Sequence, residues 1–249
     1  MNLSRTFLAL FLSTSLAAVA SAKNEWNYPF DSLKTGDLIG QDNWKGYTPA
    51  PDVTELSPQL VKSTEGNHGL VLAQNAFEGK ASSRARKDIL PLYDGKPSTD
   101  LVLEFDARAT AANSIAVMGF GGGAAFPATV GIQFDQFVVR EENFNGTSYP
   151  AIDSSGKRLT PKRGDWYRIR SVWSKDPGTD EWTAGLAIRN LSAGEKSFTT
   201  LYFDRGQKAP AMPLKIDVKR PANQFRTVVI RLGIPGGEID NLSISPQAN

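Results

Sequence analysis

The sequence predicts an all-β protein, an antiparallel two-sheet β-sandwich of the jelly-roll type, on three observations. Apolar and polar residues alternate with a period of two through most of the chain, in segments of roughly five to ten residues. Clusters of Gly, Pro, Asn and Asp punctuate those segments, and the 249 residues include 22 Gly and 15 Pro. No long stretch carries the helical period of 3.6. Twelve or more short strands without helices must bury their apolar faces against one another, which two packed sheets achieve.

The chain opens with a segment that stands apart from this pattern. Arg5 gives a charged start, Thr6 to Ala20 is almost wholly apolar or hydroxylic, and Ala20-Ser21-Ala22 has the small-x-small form of a cleavage site. Its apolar run falls short of the roughly 20 residues that span a bilayer. Residues 1–22 therefore read as a signal peptide and 23–249 as a single jelly-roll domain, secreted or periplasmic in a bacterium, with no membrane span.

From there the alternation fixes strand faces. In Leu101 to Ala109, Leu101, Leu103, Phe105 and Ala107 oppose Val102, Glu104, Asp106 and Arg108. Val130, Ile132 and Phe134 oppose Gly131, Gln133 and Asp135. Tyr167, Ile169 and Trp173 oppose Arg168, Arg170 and Val172, while Trp182, Ala184, Leu186 and Ile188 oppose Thr183, Gly185, Ala187 and Arg189. These are half-buried antiparallel strands. Further strands are expected at 59–64, 69–74, 82–88, 114–120, 197–203, 214–218, 225–232 and 239–245. Turn chemistry joins them at Asp94-Gly95-Lys96-Pro97, Asp176-Pro177-Gly178-Thr179 and Pro235-Gly236-Gly237, and the run Gly119 to Ala125 is expected as a flexible loop. The Pro-rich stretch 209–213 reads as a loop inside the domain.

Composition excludes several chemistries. With no Cys and one His, thiolate metal sites, disulfide scaffolds, cysteine nucleophiles and multi-histidine zinc sites are out of reach. The single His68 lies in Gly66-Asn67-His68-Gly69, which reads as a solvated tight turn, and no GxSxG accompanies it. A formal net charge of +2 points neither to nucleic acid nor to an anionic membrane surface.

At both ends the residues resemble a known family. Phe30, Leu33, Gly36, Leu38, Gly40, Gln41 and Trp44 are spaced as in the opening of bacterial secreted concanavalin A-like lectin/glucanase (laminin-G-like) jelly rolls, and Glu238-Ile239-Asp240-Asn241-Leu242 resembles their closing strand. Trp166-Tyr167-Arg168-Ile169-Arg170 is similar to a strand entry in the same folds. The resemblance implies the jelly roll and a polysaccharide-related task, since this architecture hosts lectins, glycoside hydrolases, lyases and adhesive domains. It also implies a structural calcium tying the first and last strands, for which Asp31 and Asp240 are the expected ligands. No other cofactor is expected.

The catalytic sets of the family are incomplete. Glucanases of this kind use Glu-x-Asp-x-x-Glu on one strand, and Glu238-Ile239-Asp240 begins it, but Ser243 stands where the second Glu belongs. Alginate-lyase-like members use Arg, a Gln-x-His strand and a Tyr. Here Arg84, Arg86, Gln133, Tyr149 and Tyr167 are present, but Asp135 replaces the His. What remains is a polar surface: Arg84, Arg86, Glu104, Asp106, Gln133, Asp135, Arg168 and Arg170 fall on non-core sides of their strands. On neighbouring strands they form a groove for sugar hydroxyls, with Arg for anionic sugars and Trp44, Trp173 or Trp182 as a stacking platform. An ordinary solvated face with core tryptophans is the other reading of the same residues. The expected function is a non-catalytic carbohydrate-binding or surface-interaction module with a glycan partner. The alternative is a polysaccharide hydrolase or lyase drawing its acid/base pair from Glu104, Asp106, Asp135, Glu141 or Glu142.

Overall fold

Period-two alternation becomes strand wherever one apolar face has a partner sheet to meet. The computed structural model describes residues 26–46, 57–63, 68–73, 83–89, 100–122, 125–141, 148–175, 178, 182–203, 214–216, 227–233 and 236–247. The expected signal peptide, the Pro-rich stretch and Glu142 lie outside them. In chain order the strands are β1 (Trp26–Tyr28), β2 (Gly36–Asp37), β3 (Gln59–Lys62), β4 (Leu70–Ala73), β5 (Ser83–Asp88), β6 (Asp100–Ala109), β7 (Ile115–Gly122) and β8 (Ala125–Gln133). They continue with β9 (Gln136–Glu141), β10 (Ser148–Ile152), β11 (Trp166–Lys175), β12 (Trp182–Asn190), β13 (Thr199–Phe203), β14 (Leu214–Ile216), β15 (Thr227–Gly233) and β16 (Gly237–Gln247).

Two antiparallel sheets result. The first runs β2-β3-β4-β16-β6-β11-β12-β13, with β1 on β16 and β14 on β12, and the second runs β10-β9-β8-β7-β15-β5. Strand β10 belongs to both layers: Ser148 to Pro150 pair with β9, and Ala151 and Ile152 pair with β13. On the other margin, Lys45 bridges to Arg86 of β5 while Gly36 and Asp37 pair with β3, so the segment between them links the two edges. The core lies between the layers. Phe120 of the second sheet meets Trp173 of the first at 5.5 Å between ring centroids, and Phe137 meets Tyr167 at 5.0 Å.

The structure departs from the sequence expectation in several places. Strands β1, β2, β9 and β10 were not foreseen. The alternation of β8 runs on in sequence through Phe134, but Phe134 and Asp135 form a two-residue turn with φ of 53° and 57°, and no Gly or Asn marks it. The glycine run expected as a loop is mostly strand: Gly119 lies inside β7, where a Cβ would sit 2.1 Å from the Ala128 carbonyl oxygen. The last strand is interior, flanked by β4 and β6. Its register against β6 shifts between Asp240 and Ser243, with Asn241 at φ 48°. This bulge keeps Ile239, Leu242 and Ile244 in the core and leaves Asp240 and Asn241 together on the outward side.

Candidate functional site

The two sheets turn very different faces away from the core. On the first, neighbouring strands β16, β6 and β11 place Asp240, Asp106 and Arg168 in one row, and Ser243, Glu104 and Arg170 in the next. Between β6 and β11 charges of opposite sign face each other, whereas Asp240 of β16 lies opposite Asp106. Arg168 donates to both oxygens of Asp106, Arg170 donates to Glu104, and Arg108 Nη2 lies 2.6 Å from Glu238 Oε2. Asn241 Nδ2 donates to Asp106 Oδ2 at 2.8 Å. Burial works against the charge on Arg168, but the hydrogen bond and attraction of Asp106 outweigh it and hold its pKa above the usual arginine value. The Asp106 side chain is 1 % exposed, so these carboxylates are internally compensated and largely closed to solvent.

His68 belongs to this face, which corrects the expectation of a solvated turn histidine. Its side chain is 11 % exposed, its Nδ1–H donates to Asp240 Oδ2 at 2.7 Å, and its ring stacks on Trp166 with centroids 4.0 Å apart. Sequence spacing gave no hint of this, because Asp240 is 172 residues away.

On the second sheet, registry aligns Arg86, Val229, Gly119, Thr129 and Arg140 in one row across β5, β15, β7, β8 and β9. The next row is Arg84, Arg231, Val117, Gly131 and Val138. Adjacent strands are about 4.8 Å apart, so each row spans roughly 19 Å. Glycines on β7 and β8 leave its middle low, with Arg84, Arg86 and Arg231 toward one side and Arg140 toward the other. The floor is a small apolar cluster of Ile115, Val117, Val138 and Val229, separate from the main core. Four arginines share this face. Burial, reinforced by repulsion from Arg84 and Arg140, brings the pKa of Arg231 down to about 10, and burial lowers Arg140 as well. One turn-end row away, Gln133 is buried and its Oε1 has no hydrogen-bond partner.

The eight residues expected to share a groove are therefore divided. Arg84, Arg86 and Gln133 lie on the outward face of the second sheet, while Glu104, Asp106, Arg168 and Arg170 lie on that of the first. Asp135 is on neither, but in the β8–β9 turn, where Arg163 Nη2 donates to its Oδ2 at 2.8 Å and holds its carboxyl below the usual range. Trp44 and Trp173 are fully buried core residues, not stacking platforms, and the side chains of Trp182 and Glu141 lie outside the described residues. Sequence reading missed Arg140 and Arg231. Arg231 sits in Val228-Val229-Ile230-Arg231-Leu232, which looks like a continuous core run, although strict alternation does pair Val229 with Arg231 opposite Val228 and Ile230.

Asp31 and Asp240, the expected calcium ligands, are both engaged by protein donors. Asp31 Oδ1 accepts the Leu70 N–H at 2.5 Å, and Asp240 accepts from His68 and from the Asn241 N–H at 2.7 Å. Among the described residues no three His, Cys, Asp or Glu side chains gather as a metal site. Among the described residues no helix is long and apolar enough to cross a membrane.

No protein-family model and no curated protein matches the chain. Solved structures of similar fold include a cellulose-induced protein, Cip1, at 12 % identity and TM-score 0.45, covering 88 % of this chain and 96 % of that one. The lectin UEA-II, solved with galactose, is 9 % identical with TM-score 0.42 and coverage of 90 % and 98 %. The marine PL-14 alginate lyase of Aplysia kurodai is 8 % identical with TM-score 0.40, covering 76 % and 87 %.

Proposed function

We propose that this chain is an exported, non-catalytic binding module for an acidic polysaccharide, which it takes on the outward face of the second sheet. The observation that carries the reading is the gathering of Arg84, Arg86, Arg140 and Arg231 on one face, where burial, with repulsion from Arg84 and Arg140, brings Arg231 down to about 10. Like charges held together are costly, and a polyanion relieves that repulsion while offering carboxylates or sulfates to guanidinium forks.

The test is calorimetric titration of the purified protein with polygalacturonate, alginate and neutral laminarin at several ionic strengths. Binding to the acidic polymers weakens as salt rises, and Arg231→Gln lowers affinity by about tenfold to a hundredfold. Equal binding of laminarin, indifferent to Arg231→Gln, overturns the acidic reading. Export is checked by the first residue of the secreted chain, Lys23 if the signal peptide is removed as expected.

One observation favours the second reading, a polysaccharide-active enzyme: His68 with Asp240 behind it is the pairing of a base and its orienting carboxylate. Release of reducing ends or unsaturated uronates, lost in His68→Gln, would establish turnover in its place.

A further inference from the structure

Three unfavourable features fall on consecutive residues at the β8–β9 hairpin. Gln133 is 2 % exposed, yet its Oε1 has no hydrogen-bond partner. Phe134 occupies the left-handed region at φ 53°, where an L side chain is strained and Asn or Gly is usual in a two-residue hairpin. The same Phe134 is 51 % exposed, and among the described residues it shares that state with one other large hydrophobic, Val61. An orphaned buried acceptor, a strained backbone and a bare aromatic ring each call for a functional account, and here they coincide.

The turn is also held in place. The Phe134 N–H donates to the Ser114 carbonyl at 3.0 Å, and Asp135 receives two hydrogen bonds from Arg163, at 3.3 and 2.8 Å. The ring is thus presented from a braced support, and Gln133 lies on the arginine-bearing face, about 7 Å along β8 from Gly131.

We infer that the β8–β9 tip is a sugar-ring subsite, in which the apolar face of a pyranose packs on Phe134 and one of its hydroxyls donates to Gln133 Oε1. The unpartnered oxygen accepts, so the ligand donates, and an aromatic ring pairs with a C–H face rather than with a charged group. This inference rests on the reading that the second sheet's outward face binds a glycan. It adds a recognition element that senses the ring itself beside arginines that sense its acid groups.

The experiment titrates polygalacturonate oligosaccharides and neutral cellohexaose into wild type, Phe134→Asn, Phe134→Tyr, Gln133→Leu and Arg231→Gln, with melting temperatures measured in parallel. Phe134→Asn and Gln133→Leu are expected to leave melting unchanged or raised and to weaken polygalacturonate binding about tenfold, while Phe134→Tyr stays within about twofold of wild type. If both variants bind as wild type does while Arg231→Gln loses affinity, the subsite is overturned and the acidic reading stands. If wild type prefers cellohexaose and Phe134→Asn abolishes that binding, the acidic reading falls and the subsite stands. Wild-type binding of neither probe overturns both.

Discussion

Gly119 and Gly131 show how single residues shape the arginine face. A Cβ on Gly131 would sit 2.3 Å from the Ala116 carbonyl oxygen, on a backbone at φ 145°, and Gly119 meets the Ala128 carbonyl in the same way. Neither neighbour is a flexible side chain that can swing aside. The glycines let β7 and β8 approach closely and leave the middle of the face low, so one requirement serves both fold and site. Gly131→Ala is expected to cost about 2–4 kcal/mol in urea unfolding, from the clash and the strained backbone together. Stability equal to wild type would mean that the strands separate freely there.

At the scale of elements, β1 and the Trp44 segment are clasped to β5. Tyr28 donates to Asp42 Oδ2 at 2.5 Å, Trp44 Nε1 donates to the Tyr28 hydroxyl at 3.1 Å, and Lys87 Nζ lies 3.0 Å from Asp42 Oδ2. The hydrogen bonds from Tyr28 and Lys87 hold the Asp42 carboxyl below its usual pKa. A carboxyl that binds its proton less readily when folded stabilises the fold fully above about pH 4, and that contribution is lost as pH falls through the lowered folded value. Asp42→Asn therefore lowers the melting temperature at pH 7 and flattens its decline as pH falls below about 4. An unchanged acid limb would show that the clasp does not couple to protonation.

Most strands were legible because each long one has an apolar face that repeats every second residue, as in Leu101 to Ala107. The short ones, β1 and β2, carry too few residues for a period to show. Strand β9 was hidden because Phe134 continues the alternation of β8 in letters while reversing the chain in space. Arg84, Arg86 and Gln133 were legible as outward-facing residues. That they share a face with Arg231 and Arg140, and not with Asp106 or Arg168, depends on strand order, which local alternation does not contain.

For the whole molecule, a formal net charge of +2 conceals an uneven distribution. Opposite charges cancel across the first sheet, where Glu104, Asp106 and Glu238 meet Arg170, Arg168 and Arg108, while arginines accumulate on the second. A calcium ion shared by Asp31 and Asp240 is a separate proposal with a direct test. EGTA lowers the melting temperature if such an ion is bound. Melting unchanged by EGTA would overturn it and leave Leu70, His68 and Asn241 as the partners of the two carboxylates.

The position of β16 also governs when the molecule is able to fold. It is last in sequence but interior in space, flanked by β4 and β6 and carrying β1 on its outer end. Until β16 is synthesised, β6 lacks one of its two neighbours, β1 has nothing to pair with, and the first sheet stays divided. Contacts of such long sequence separation form slowly. The growing chain is thus kept open until β16 has been made, and only then do the two parts of the first sheet close into one.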